Sequence, residues 1–225
     1  MATAPPPSTW HIREMEPLVL SVDSHHISPY AMACFVALEE KQLPYTMRAV
    51  SLPQGEQRTA GFPGRTHRVP LLQHGDYVLA ESQAITEYLA ETFPFPDHPR
   101  IFPADLRQRG ICREIMGWVR SDLAAIRQER STETIWYARP VEPLSDDGKA
   151  AAGKLVAYCD SLLDGSRPTL FDAWCIADAD LAMMLRRLRK HDALPAKLAA
   201  YTDANWARPS LQKWDALVRP PYVAY

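Results

Sequence analysis

The chain has 225 residues, enough for one large domain or two modest domains with hydrophobic cores. Hydrophobic residues make up 47% of it and charged residues 23%, as in ordinary globular proteins. The formal net charge of −2 argues against a nucleic-acid-binding protein, because such proteins carry basic patches. No apolar run approaches the roughly 20 residues that a membrane span requires, so we expect a protein that binds neither nucleic acid nor membrane.

The N-terminal residues and the cysteines bear on the cellular location of the protein. Residues 1–15 include three consecutive prolines and are expected to form a flexible tail rather than a signal peptide. The four cysteines lie far apart without a C-x-x-C pair: Cys34, Cys112, Cys159 and Cys175. This spacing favours reduced thiols and a cytoplasmic location. His25 and His26 lack a third ligand at regular spacing, so we expect solvated loop histidines and no metal site.

The chain then shows a β-α-β pattern. Residues 18–22 are apolar and β-branched, which predicts a buried strand. Ser28 followed by Pro29 is typical of a helix start, and this helix is expected to end near Lys41. Residues 45–50 alternate in polarity and predict a second strand, parallel to the first.

A hairpin and a helix are predicted next. Residues 51–66 are polar and rich in glycine and proline, which indicates a long surface loop with room for one helical turn. Residues 69–73 predict a strand, residues 74–76 a tight turn and residues 77–80 its antiparallel partner. Ser82 is then expected to cap a helix that ends near residue 93.

The proline-rich run at 93–99 cannot continue a helix, so we place a domain boundary there. Beyond it the apolar residues recur every three or four positions, which predicts helices only. The expected helices cover residues 111–126, 150–163, 176–188, 194–201 and 209–218. The expected division is a tail at 1–15, a first domain at 16–93, a linker at 94–103 and a second domain at 104–225.

Three places in the first domain carry candidate chemistry. The hydroxyl of Ser28 lies where a helix start favours negative charge. Pro70 lies inside an apolar strand, which suggests a strand at the edge of the sheet. A trans proline at a strand start is the common case. A cis bond would instead turn the backbone N–H and C=O of Val69 outward, where an extended peptide could pair with them. Glu81 and Ser82 are suited to a ligand ammonium and carboxylate, although an ordinary helix cap is the commoner explanation for such a pair taken alone.

Together these segments resemble the glutathione S-transferase family. The similar motifs are SPY at 28–30 with VALEEK at 36–41, VPLL at 69–72 (the family's V-P-x-L cis-proline motif), ESQAI at 81–85 (E-S-x-A-I) and CIAD at 175–178 ([ST]-[IL]-A-D). Their order and spacing span nearly the whole chain after the tail. The runs WVRSDL at 118–123 and WCIAD at 174–178 resemble the bacterial YfcF-like group in particular.

The resemblance implies an α/β thioredoxin-like N-terminal domain followed by an all-α helical bundle. It implies that Ser28 is the catalytic hydroxyl of a serine-type enzyme that stabilises the glutathione thiolate. It also implies a homodimer and no permanently bound cofactor, with glutathione as co-substrate. The partner substrate would be a small hydrophobic electrophile or an organic hydroperoxide.

The resemblance also implies the binding residues. Val69 beside cis-Pro70 matches the residue whose backbone holds the cysteinyl part of glutathione, and Glu81 and Ser82 match the γ-glutamyl binders. Arg68 falls where some classes place a cation for the glycyl carboxylate, a role that Arg65 or His67 could fill instead. The electrophile pocket is expected between the domains, lined by Tyr30, Trp118, Arg120, Trp136 and Tyr137.

Several alternatives stay open. A non-catalytic glutathione-binding module would keep the fold without turnover. A thiol–disulfide oxidoreductase is disfavoured because position 28 is serine, whereas that chemistry needs a thiolate at the helix start. Ser24 is a rival to Ser28 but lies in the loop, and Cys34 is expected in the core.

Cys175 replaces the usual hydroxyl cap of the central helix, and Asp178 is expected to bind backbone N–H groups there.

Overall fold

A computed structural model describes residues 16–224 of the chain. Its first part is a four-stranded sheet in the order β2-β1-β3-β4, with β1 parallel to β2 and antiparallel to β3. The strands are β1 Leu18–Asp23, β2 Thr46–Val50, β3 Leu71–His74 and β4 Tyr77–Ala80. With helices α1 Pro29–Glu40 and α2 Ser82–Thr92, the sheet forms the thioredoxin-like unit predicted from the sequence.

The second part is helical throughout, as predicted. Its helices are α3 Leu106–Ser121, α4 Ala124–Glu129, α5 Glu133–Trp136, α6 Asp146–Leu162, α7 Ile176–Arg189, α8 Ala196–Trp206 and α9 Pro209–Asp215. In the part of the chain that the structure describes, no helix is long and apolar enough to cross a membrane.

One expected helix is broken in the structure, and one short helix was not expected. The helix predicted over 111–126 is broken, because Leu123 adopts a left-handed backbone conformation between α3 and α4. That conformation buries the Leu123 side chain and turns the chain, which a periodic apolar pattern cannot reveal. The short helix α5 was not predicted. The loop after β2 contains a single 3-10 turn at Glu56–Arg58, in agreement with the helical turn expected there.

Helix α1 packs against both parts of the molecule. Every residue from Ala31 to Leu38 is buried, since α1 packs on β1 and α2 on one side and on α7 and α9 on the other. Helix α7 is buried almost all round, as predicted, and lies at the centre of the helical part. One continuous hydrophobic core therefore runs through both parts and fixes the start of α1 relative to the helical part.

The start of α7 shows how the missing hydroxyl cap is replaced. The Asp178 carboxylate accepts hydrogen bonds from the backbone N–H groups of Cys175 (2.9 Å) and Leu170 (2.7 Å). The hydroxyl of Tyr201 donates to it as well, at 2.8 Å. The prediction that Asp178 is a structural acid is thus confirmed, and as the third residue of α7 it forms a capping box with Cys175.

Candidate functional site

Ser28 ends the loop after β1 and caps α1. Its backbone is extended, and its hydroxyl oxygen accepts a hydrogen bond from the Ala31 N–H at 3.2 Å. The buried Asp23 carboxylate fixes the loop, because it accepts bonds from the N–H groups of Ile27 and Ser28 at 2.9 and 3.0 Å. The hydroxyl hydrogen of Ser28 has no acceptor among residues 16–224, so it remains available to donate to a ligand at the positive end of α1.

The bond between Val69 and Pro70 is cis. Both residues precede β3, whose pairing with its neighbours begins at Leu71. Pro70 therefore occupies no position in the ladder, which explains why a residue without an N–H is tolerated beside this strand. A second cis proline, Pro96, lies in the segment between the two parts and was not predicted.

Glu81 and Ser82 lie where β4 turns into α2. Helix α2 begins at Ser82, and Glu81 is the residue before it, with a φ of 72°. The prediction that Ser82 caps this helix is wrong, since the capping position belongs to Glu81, which makes no side-chain cap bond. A left-handed φ is unusual for glutamate and persists only where the surroundings enforce it, as at many binding sites.

These segments converge on two adjoining cavities. The first has a volume of about 230 Å³ and is lined by Tyr30, Arg68, Val69, Pro70, Glu81, Ser82 and Arg120. The second, about 480 Å³, shares Tyr30, Arg68 and Val69 with the first and adds Ser28. We call the two cavities together the trough. Residues predicted from three separate segments of the first domain thus line the trough.

Arg120 on α3 brings the helical part into the trough. Its Nε donates to the Ser82 hydroxyl oxygen at 3.1 Å, and its Nη atoms bind both Asp180 carboxylate oxygens at 2.5 and 3.1 Å. The guanidinium carbon also lies 5.6 Å from the centre of the Tyr30 ring. Arg120 was expected in the electrophile pocket, but the structure links it to Ser82 as well.

Asp180 was not predicted. It lies on α7, is 6% exposed, and holds the Arg120 guanidinium as a bidentate partner. The signal for it was a carboxylate in an otherwise apolar buried helix, since acidic residues are rarely buried unless they are paired.

Comparison with known proteins identifies the family of this chain. A family model described as "Glutathione S-transferase, C-terminal domain" matches residues 105–219, and one described as "Glutathione S-transferase, N-terminal domain" matches residues 24–99. The chain belongs to the glutathione S-transferase family.

Individual solved structures of glutathione transferases also resemble this chain. The solved structure of a glutathione transferase homolog from Burkholderia gl BGR1, with bound glutathione, is 37% identical, with a TM-score of 0.73 over 89% of this chain and 96% of that chain. A theta class glutathione S-transferase from Xanthomonas axonopodis pv. citri, with glutathione bound, shares the fold at 22% identity, with a TM-score of 0.69 over 91% and 99% of the two chains.

Among curated proteins, glutathione S-transferase theta-3 of Mus musculus is 31% identical over 117 residues, which cover 49% of this chain and 48% of the relative. Glutathione S-transferase theta-2 of Homo sapiens is 31% identical over 94 residues, 41% of this chain and 38% of the relative. The chain thus spans half or less of the length of these curated relatives.

Three aromatic residues expected in the electrophile pocket of this glutathione S-transferase lie elsewhere than along the trough. Trp118 stacks on Tyr158 with ring centres 4.4 Å apart, and its indole N–H donates to Asp122. The Trp136 indole donates to Asp215, and the Tyr137 hydroxyl donates to the Pro220 carbonyl. None of the three lines either cavity of the trough, whereas Tyr30 lines both.

The four cysteines and His25 are buried in the interior of this protein. All four cysteines are buried and reduced, which confirms Cys34 as a core residue, and burial raises the pKa of the Cys34 thiol far above its usual value. His25 is buried between the rings of Tyr137 and Tyr222, so the expectation of a solvated histidine there is wrong. Within residues 16–224, no cluster of three or more His, Cys, Asp or Glu side chains is placed to hold a metal.

Proposed function

We propose that this protein is a serine-type glutathione transferase, with the tripeptide extended along the trough. The observation that carries the proposal is the convergence of Val69, cis-Pro70, Glu81 and Ser82 on a depression that Ser28 also lines. Each of these residues alone has an ordinary structural explanation. A cap, a proline at a strand edge and an acidic turn have no structural need to border the same pair of adjoining cavities.

The trough offers complementary groups for each part of glutathione. The backbone of Val69 pairs with the cysteinyl residue as an added strand. At the start of α2, the Ser82 hydroxyl and the first N–H groups bind the γ-glutamyl carboxylate, while Glu81 binds the ammonium. Arg120 donates to the Ser82 hydroxyl oxygen and so orients that hydroxyl, and Arg68 binds the glycyl carboxylate at the end shared with Ser28.

Ser28 then acts on the sulfur. Its hydroxyl donates a hydrogen bond to the thiolate, which stabilises the charged form and lowers the thiol pKa from about 8.5 toward neutrality. The thiolate attacks an electrophilic carbon, a carbon–sulfur bond forms, and the leaving group departs with its bonding electrons. Cys34 takes no part, because a buried thiol with a raised pKa supplies no thiolate.

The variant Ser28→Ala tests this proposal. We expect the pKa of bound glutathione to return toward 8.5 and kcat for conjugation to fall about 10- to 100-fold, as for the loss of one hydrogen bond to a charged group. Glutathione affinity should change little below the pKa of the bound thiol, where Ser28 faces a neutral sulfur, and should fall above it as the stabilisation of the thiolate is lost. The thiolate absorbance of the bound tripeptide, followed against pH, measures the first effect, and steady-state rates with an aryl chloride measure the second.

Ser24 provides the matched control. It is a serine of the same loop, but it lines neither cavity of the trough, and Ser24→Ala should leave the thiol pKa and kcat unchanged. If Ser28→Ala keeps full activity and an unchanged thiol pKa, Ser28 is a helix cap only and the proposed mechanism is wrong. Tight glutathione binding by the unmodified protein without any thiolate absorbance would instead support a non-catalytic binding module.

A further inference from the structure

A small cavity of about 20 Å³ lies beside Tyr30, between α1 and the helical part. It shares Tyr30 and Arg120 with the trough and is otherwise lined by Pro29 of α1 and by residues of α3, α4 and α7, among them Arg127, Asp180 and Arg187. We call it the arginine cavity. Because Tyr30 borders both spaces, the arginine cavity adjoins the trough in which the sulfur is proposed to be held.

The arginine cavity has an excess of positive charge. Of its three arginines, Arg120 is neutralised by its bidentate pair with Asp180. Arg127 and Arg187 form no ion pair with any residue between 16 and 224. The Nη1 atom of Arg127 donates to the backbone carbonyls of Val119 and Asp122. Two positive charges therefore border the cavity without a matching carboxylate.

Arg187 is the more unusual of the two. Only 3% of it is exposed, and within the described part of the chain its one hydrogen bond runs from Nη1 to the Arg130 carbonyl at 2.7 Å. Its Nε is buried without a partner in the same part of the chain. Burial, with Arg127 acting in the same direction, lowers the pKa of Arg187 to about 10. A buried cation that lacks a counter-charge is costly, so its retention beside a cavity indicates a ligand that supplies the charge.

We propose that the arginine cavity binds a carboxylate of the second substrate, so that the electrophiles of this enzyme are small organic acids. A cavity of this size admits about one water-sized group, which fits a carboxylate oxygen better than a bulky sulfonate. Met183 and Met184 also line the cavity and supply apolar, adaptable contact for the carbon skeleton beside the acid. The proposal rests on the proposed conjugation at Ser28, since that step places the electrophile beside Tyr30.

The test uses two aryl chlorides of nearly equal shape, 4-chloro-3,5-dinitrobenzoate and the neutral 4-chloro-3,5-dinitrobenzamide. With either, the glutathione sulfur bonds to the ring carbon, chloride leaves with the bonding pair, and the acid or amide group is unchanged. The measured quantity is the ratio of kcat/KM for the acid to that for the amide, divided by the same ratio for the uncatalysed reaction.

We expect this ratio to be about 10 to 100 in the unmodified enzyme, as for one charge-assisted hydrogen bond, and to fall toward 1 in Arg187→Gln. Arg189→Gln is the matched control, because Arg189 is on the same helix but exposed and paired with Asp203. Arg127→Gln is the second variant and should lower the ratio several-fold. A ratio near 1 in the unmodified enzyme, or a high ratio that survives in both Arg187→Gln and Arg127→Gln, overturns the proposal.

Binding of the preformed conjugates separates this proposal from the one on which it rests. Calorimetry with the S-(4-carboxy-2,6-dinitrophenyl) and S-(4-carbamoyl-2,6-dinitrophenyl) conjugates of glutathione needs no turnover. Tighter binding of the acid conjugate that is lost in Arg187→Gln supports the carboxylate site even if no conjugation is catalysed. Conjugation of the amide together with equal binding of the two conjugates leaves the Ser28 mechanism intact and refutes the carboxylate site.

Discussion

The Ser82 hydroxyl can accept one hydrogen bond and donate another. It accepts a hydrogen bond from Arg120 Nε at 3.1 Å, and this leaves its own hydrogen to donate toward the trough. Arg120 is itself held in place by Asp180, so a residue of α7 orients a hydroxyl on α2 through an arginine on α3. The guanidinium fork makes this possible, because it binds a carboxylate with one edge and still presents Nε to a third group.

This arrangement predicts the behaviour of Arg120→Lys. Lysine keeps the positive charge beside Asp180 but cannot bind the carboxylate and the Ser82 hydroxyl together. We expect the Kd for glutathione to rise about tenfold while the pKa of the bound thiol stays unchanged, because the Ser28 contact is separate. Calorimetric titration with glutathione measures the affinity.

Arg113→Lys is the control for that experiment. Arg113 is also on α3 and binds Glu87 through two hydrogen bonds, but it is half exposed and lines neither cavity of the trough. Its replacement should leave glutathione affinity within about twofold, as for most surface ion pairs. If Arg120→Lys binds glutathione as tightly as the unmodified protein, Arg120 only connects the two parts of the molecule.

The residues predicted at the site and those missed differ in one physical respect. Ser28, Val69, Pro70, Glu81 and Ser82 were predicted because each belongs to a local motif with a local conformational meaning. Asp180 is marked in the sequence only as a carboxylate within an apolar helix. Spacing along α7 predicts neither its partner Arg120 on α3 nor the contact of Arg187 with the Arg130 carbonyl. For the same reason Trp118 was assigned to a pocket, whereas the fold places it against Tyr158.

At the scale of elements, the strands and the first helix were predicted closely and the helix ends less so. The apolar runs of β1 and β2 and the Ser28-Pro29 start leave few alternatives for those elements. Leu123 shows the limit, since a left-handed leucine inside an apolar period is set by tertiary packing rather than by its own preference.

The end of α1 allows a prediction at this scale. Gln42 has a φ of 56°, and the N–H groups of Gln42 and Leu43 donate to the carbonyls of Glu39 and Leu38 in a Schellman motif. Glycine takes this conformation without the penalty that a side chain brings. We expect Gln42→Gly to raise the free energy of unfolding by about 0.5–1 kcal/mol, since the strain relieved exceeds the added chain entropy.

Urea unfolding of Gln42→Gly and Gln42→Ala measures this effect. The side chain of Gln42 is exposed, so its loss removes no packing, and Gln42→Ala retains the Cβ and should gain nothing. Equal stability of the two variants would mean that the left-handed conformation at position 42 carries no measurable cost.

At the scale of the whole molecule, the trough depends on how α1 is held between the two parts. The Glu40 carboxylate at the end of α1 accepts two hydrogen bonds from Arg208 (2.9 and 2.6 Å) and one from Ser210 (2.5 Å), at the start of α9. A negative charge there also interacts favourably with the helix dipole of α9. Arg208 is further covered by the ring of Trp174, 4.4 Å from its guanidinium carbon.

Replacing Arg208 with alanine should therefore weaken the association of the two parts. The Glu40 side chain is only 16% exposed, so it would lose its cation while remaining largely buried, and we expect a loss of about 1–3 kcal/mol in the free energy of unfolding. Lys213→Ala is the matched control: Lys213 pairs with the neighbouring Glu39, but it is 62% exposed, and its loss should cost about 0.5 kcal/mol or less. Urea unfolding followed by tryptophan fluorescence compares the two variants. Equal losses would show that the contact between α1 and α9 depends on its apolar packing alone, with the charges at Glu40 contributing nothing to how α1 is held.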